Sequence, residues 1–128
     1  MQRIRVVIVE DNKLFRETLE LLFGMREELD VVASVSGGAE GIEICGTLAP
    51  DVAVVDYRMP GIDGAQATAK LLEISPGTSV ICLTASVSAE ERELVLRAGA
   101  RLCLTKDERL DRIVEAILEV AGARAEMR

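Results

Sequence analysis

The chain predicts an α/β fold, a doubly wound (βα)5 arrangement with helices on both faces of a parallel sheet ordered 2-1-3-4-5. Three observations predict it. Five apolar runs of strand length alternate with segments of helical periodicity. Most of these runs are apolar on both sides, as strands covered by helices on two faces must be. Acidic residues close the first and third runs, and parallel strands lying side by side release such ends at one edge of a sheet.

The strands are expected at 4–9, 31–35, 52–56, 80–84 and 102–105. In the first helical segment Leu14, Thr18, Leu21, Leu22 and Met25 mark one face at a spacing of three to four residues. Leu94, Val95 and Ala98 mark the fourth, where Ser88-Ala89-Glu90-Glu91 reads as a capping box. Gly99 is its expected stop, because a left-handed residue there carries no Cβ penalty. Leu110, Ile113, Val114, Ile117 and Leu118 mark the last segment. Strict βα alternation demands right-handed crossovers and hence a three-layer, flavodoxin-like sandwich. Strands one and three then lie together in the middle, and Asp11 and Asp56 come within reach of each other. One domain is expected over 1–122, with a short polar tail, 123–128, that frays.

Composition narrows the function. Of 128 residues, 49% are apolar and 29% charged, which supports a globular chain with its own core. Aromatics are only 2%, so platforms for stacking bases are nearly absent. A net charge of −7 repels phosphate backbones, and direct contact with nucleic acid is not expected. With no histidine, the commonest general base and transition-metal ligand is missing, and any metal must prefer oxygen. Cys45, Cys82 and Cys103 are odd in number and widely spaced, which reads as buried reduced thiols; Cys82 and Cys103 fall on neighbouring strands. No window resembles a signal peptide or a membrane span, so the cytoplasm is the expected location.

The acids carry the chemistry. Glu10-Asp11 and Asp56 at one edge repel one another, each like-charged pair at about 4 Å costing roughly 4 kcal/mol at an effective dielectric near 20. Such a cluster binds protons or attracts a cation. Met59-Pro60-Gly61-Ile62-Asp63-Gly64 follows as a turn, Thr84-Ala85 ends the fourth strand, and Lys106 follows the fifth. Taken singly, these residues have plainer readings: Asp56 as a turn cap, Glu10 and Asp11 as acids at a helix start, Thr84 and Ser86 as strand-end hydroxyls, Lys106 as a solvated cation.

Together and in this order, these landmarks resemble a bacterial two-component response-regulator receiver domain, and the match covers nearly the whole chain. The segments Thr84-Ala85-Ser86 and 101–107 are most similar to receivers joined to a helix-turn-helix DNA-binding domain. The resemblance implies that Asp56 accepts a phosphoryl group from a phosphohistidine on a histidine kinase or phosphotransfer protein. It implies Mg²⁺ held by Glu10, Asp11, Asp56 and Arg58, with Thr84 and Lys106 contacting the phosphoryl oxygens. The chemistry agrees: a carboxylate can form an acyl phosphate, Mg²⁺ uses one or two carboxylates, and a fixed ammonium offsets phosphoryl charge. The domain is then no enzyme in its own right, promoting only its own phosphorylation and dephosphorylation. The implied output face is helix 4, strand 5 and helix 5, where a partner docks or a phosphorylation-dependent homodimer forms.

The chain departs from the family pattern at one place and is distinctive at two more. Cys103 stands three residues before the lysine, where receivers commonly carry an aromatic ring that changes rotamer on activation. Arg58 and Ser86, two residues beyond Asp56 and Thr84, stand where the family tunes water access; Arg58 is expected near the phosphoryl group. Two rival readings need residues the chain lacks. A phosphatase with an Asp nucleophile would carry a second acid at position 58, and a nucleotide or flavin module would carry a glycine-rich loop after strand one. Whether such a receiver stands alone or controls an attached DNA-binding domain is left open by these residues.

Overall fold

A computed structural model describes the backbone of residues 2–126 and the side chains of residues 2–122. The elements run β1 (Ile4–Val9), α1 (Lys13–Gly24), β2 (Leu29–Val35), α2 (Gly38–Leu48), β3 (Val52–Val55), α3 (Gly64–Ile74), β4 (Ser79–Thr84), α4 (Ala89–Arg97), β5 (Leu102–Thr105) and α5 (Leu110–Glu126). All strand pairs are parallel, in the order β2-β1-β3-β4-β5. The expected architecture is therefore the observed one. The first and last strands match their expected limits, β2 and β4 begin earlier, and β3 stops at Val55, which leaves Asp56 just beyond the ladder. Helix α5 continues to Glu126, and the last residues of the expected tail lie outside the described residues.

Alternation along the strands divides the core in two. Val6, Ile8, Val54 and Ile81 face α1 and α5, meeting Leu19, Phe23, Ile113 and Ile117. Val7, Val9, Ala53, Val55 and Cys82 face the other way, toward α2, α3 and α4. Fully burying one such aliphatic side chain contributes about 1.5–3 kcal/mol. The three cysteines are free and buried, and burial raises the Cys45 thiol to about 12. Cys82 and Cys103 are direct cross-strand partners.

Three helix faces differ from expectation. Leu14, Leu21 and Met25 are 77%, 70% and 74% exposed, while Phe15, Leu19, Leu22 and Phe23 carry the packing. Helix α1 bears two apolar stripes, and the entry set by Asn12, whose side chain caps Phe15 N–H, turns the second one inward. On α4 only Val95 of the expected set is fully buried and Leu94 is exposed; Leu110 of α5 is likewise exposed. The capping box at Ser88 and Glu91 is present, and Gly99 takes φ +119° directly after α4, against Leu72, where a Cβ would collide.

Candidate functional site

The carboxyl ends of β1, β3, β4 and β5 converge on one buried cluster. Asp56 leaves β3 with its N–H donating to the Val9 carbonyl at 2.9 Å, which fixes it beside the end of β1. The chain then turns into α3, and Gly64 donates to the Tyr57 carbonyl at 2.8 Å. A Cβ on Gly64 would stand 2.7 Å from Tyr57 Cα and 2.9 Å from the Asp56 carbonyl oxygen. Only glycine lets α3 start this close to the acidic loop. Asp63 caps that helix in a reciprocal bond with Gln66.

Lys106 joins the acids. Its Nζ lies 2.9 Å from Glu10 Oε1, 3.0 Å from Glu10 Oε2 and 3.6 Å from Asp56 Oδ2. Glu10 is 2% exposed and Asp56 5%, so these charges meet largely out of water. Glu10 also accepts the Asn12 N–H at 2.9 Å, and the Arg16 guanidinium donates to the Glu10 carbonyl at 2.8 Å. The ammonium additionally lies 4.7 Å from the centre of the Phe15 ring, a favourable cation–π contact. Lys106 is anchored from behind by its own N–H, which donates to the Thr84 carbonyl at 2.8 Å.

One ammonium between two buried carboxylates leaves negative charge in excess. Burial raises the Asp56 carboxyl to about 7; the Glu10 charge and a hydrogen bond with Glu10 add to the rise, while Lys106 and the Arg58 N–H oppose it. The site therefore holds a proton or attracts a cation. Among the described residues no group of three or more acidic, cysteine or histidine side chains is arranged to hold a metal ion. Asp11, directly after Glu10, is exposed. Two buried carboxylates with an exposed third beside them are still a hard-oxygen donor set, and Mg²⁺ characteristically takes one or two carboxylates and keeps its waters. The donors fit that ion.

Thr84 is fully buried at the end of β4, and its hydroxyl donates to the Ser86 carbonyl at 3.2 Å. The Arg58 guanidinium is held by Glu91 of α4 through two bonds of 2.7 Å, while its backbone N–H favours the charged form of the Asp56 carboxyl. Glu91 is the residue the sequence reading missed as a partner. Thirty-three residues separate it from Arg58, so no local spacing announces the pair. Arg92 was equally silent; it reaches from α4 to the Cys103 carbonyl of β5 at 2.5 Å.

Comparison with known proteins agrees with this geometry. The family model described as "Response regulator receiver domain" matches residues 6–118. The "Probable transcriptional regulatory protein NarL" of Mycobacterium tuberculosis is 35% identical over 123 residues, covering 96% of this chain and 57% of that protein. The "Transcriptional regulatory protein DegU" of Brevibacillus brevis is 33% identical over 119 residues, covering 93% of this chain and 50% of that protein. The chain thus spans little more than half the length of these relatives. Among solved structures, the signal receiver domain of NarL from M. tuberculosis superposes with a TM-score of 0.90 at 34% identity, covering 95% of this chain and 98% of that one. Sequence match, fold and acidic edge lead to one assignment: this chain belongs to the response regulator receiver domain family.

Proposed function

We propose that this receiver accepts a phosphoryl group on Asp56 from a phosphohistidine of a histidine kinase or phosphotransfer protein, and that the modification alters its α4–β5–α5 face. The observation that carries this reading is the buried Glu10–Lys106–Asp56 cluster at the carboxyl edge of the sheet. An Asp56 carboxylate oxygen attacks phosphorus as the nitrogen–phosphorus bond breaks; the imidazole keeps the electron pair and takes up a proton. Later attack by water on phosphorus cleaves the anhydride, restoring the Asp56 carboxylate and releasing inorganic phosphate. Glu10, Asp11 and Asp56, with the loop at Arg58, are the residues that would hold Mg²⁺, and the bound ion would offset the charge of two approaching anions.

Lys106 and Thr84 are the candidates to meet the new oxygens. Hydrogen bonds to charged groups contribute about 1.5–3 kcal/mol each, and moving a population from 1:99 to 99:1 takes about 5.5 kcal/mol. Thr84 must give up the Ser86 carbonyl, and Lys106 must loosen its hold on Glu10, so two bonds leave little margin. Leu94 and Leu96 on α4 and Leu110 on α5 are exposed, giving the proposed output face an apolar surface for a partner or a second copy. In a longer protein the same face would control an attached DNA-binding region. A cytoplasmic location goes with this reading; among the described residues no helix is long and apolar enough to cross a membrane.

Incubation with acetyl phosphate and Mg²⁺ tests the chemistry. Intact-mass measurement should show one added phosphoryl group on the wild type and none on Asp56→Asn. An Asp56→Asn chain that still labels refutes the assignment of the acceptor.

A further inference from the structure

Arg58 stands two residues beyond the acceptor and reaches α4. Its main-chain N–H favours the charged form of the Asp56 carboxyl, and its side chain grips Glu91 fork to fork, NH1 to Oε2 and NH2 to Oε1, both at 2.7 Å. Glu91 in turn closes the first turn of α4: its Oε1 accepts the Ser88 N–H at 3.0 Å, and its own N–H donates to Ser88 Oγ at 3.1 Å. Two anions therefore act on one guanidinium, Glu91 directly and Asp56 from two residues away. The Arg58 side chain is about half exposed, with its guanidinium over the Tyr57 ring, 5.2 Å from the ring centre.

Phosphorylation changes that balance. An acyl phosphate brings about two negative charges and several strong acceptor oxygens to a position that held at most one charge. A planar guanidinium binds phosphate as readily as carboxylate, by the same pair of donors. We propose that Glu91 is a positioning residue for Arg58: it holds the guanidinium on α4 at rest and yields it to the phosphoryl group on Asp56, so that one transfer both shields the acyl phosphate and unclasps the first turn of α4. The inference rests on the phosphoacceptor reading above and goes beyond it by naming a competitor on the output side. It also supplies a link to α4 that Cys103, lacking a ring, does not.

Competition for one group is reciprocal: whatever the phosphoryl group withdraws from Glu91, loss of Glu91 returns to the phosphoryl group. Glu91→Gln isolates the charge, because glutamine at this position keeps the capping box. Phosphoform lifetime after acetyl phosphate treatment should rise about two- to fivefold in Glu91→Gln, the range of an exposed ion pair. Arg58→Ala should shorten it, and Glu91→Gln added to Arg58→Ala should change nothing further. Equal lifetimes in wild type and Glu91→Gln overturn the proposal, as does a Glu91→Gln effect that persists without Arg58. A wild-type chain that takes up no phosphoryl group overturns the acceptor reading instead, and this inference with it.

Discussion

Between the sheet and helices α1 and α5 lie Ile8, Leu19, Phe23, Ile81, Leu83, Ile113 and Ile117, whereas the opposite face mixes valines, Tyr57 and Leu71 with the small side chains of Ala53, Ala67, Ala100, Cys45, Cys82 and Cys103. Of the largest leucine, isoleucine and phenylalanine side chains that are fully buried, Leu71 alone belongs to that second face. The first face interlocks large branched side chains, which cannot shift without opening voids. The second meets α4 through Val95 and through polar contacts at the ends of long side chains, Arg58 to Glu91 and Arg92 to the Cys103 carbonyl. The largest buried side chains are thus concentrated on one side of the sheet. The acidic cluster sits at the edge between the two faces.

The sharpest way to break this comparison is to truncate one residue on each side. Phe23→Ala should cost about 3–5 kcal/mol in denaturant unfolding, and Cys103→Ala only about 1–2 kcal/mol. Equal losses would mean that the two faces are packed alike. Next in size is the acidic edge itself. The unfolded chain releases the Asp56 proton near 3.8, whereas the folded one keeps it to about 7. Between those values the unfolded state binds fewer protons, so stability falls as pH rises, and the cost is complete above the folded value. Without divalent cation, Asp56→Asn should exceed the wild type by about 2–4 kcal/mol near pH 8 and match it near pH 3.5. A stability difference that does not vary with pH would show that the cluster stores no such cost. The smallest effect is expected at Thr68, whose buried hydroxyl on α3 has no hydrogen-bond partner among the described residues. Thr68→Val should be neutral or stabilising by up to about 1 kcal/mol in thermal unfolding, and a clear loss would reveal a hidden partner.

The runs 4–9 and 102–105 have the limits their flanks predict, because a charged residue stands on each side, Arg3 and Glu10 for the first, Arg101 and Lys106 for the second. Strand order places Lys106 at the same sheet edge as Glu10 and Asp56, since parallel strands deliver their carboxyl ends together; its contacts with them appear only in the folded chain. Helix α1 was misread because Leu14, Leu21 and Met25 are as regularly spaced as Phe15, Leu19 and Phe23. Periodicity finds stripes but does not say which one the preceding loop turns inward. The Arg58–Glu91 pair was not legible, because an arginine side chain is long enough to reach either of two anions.

Hydrophobic periodicity, the βα alternation and the acids at two strand ends were sufficient for the architecture and for the place of its reactive edge. They suffice because pattern and strand order are properties of the chain taken in sequence. Which stripe of α1 is buried, that Lys106 lies nearer Glu10 than Asp56, and that Arg58 grips Glu91 were decided only in the folded molecule. Those choices are made between partners of equal chemistry, and only distances in three dimensions separate them.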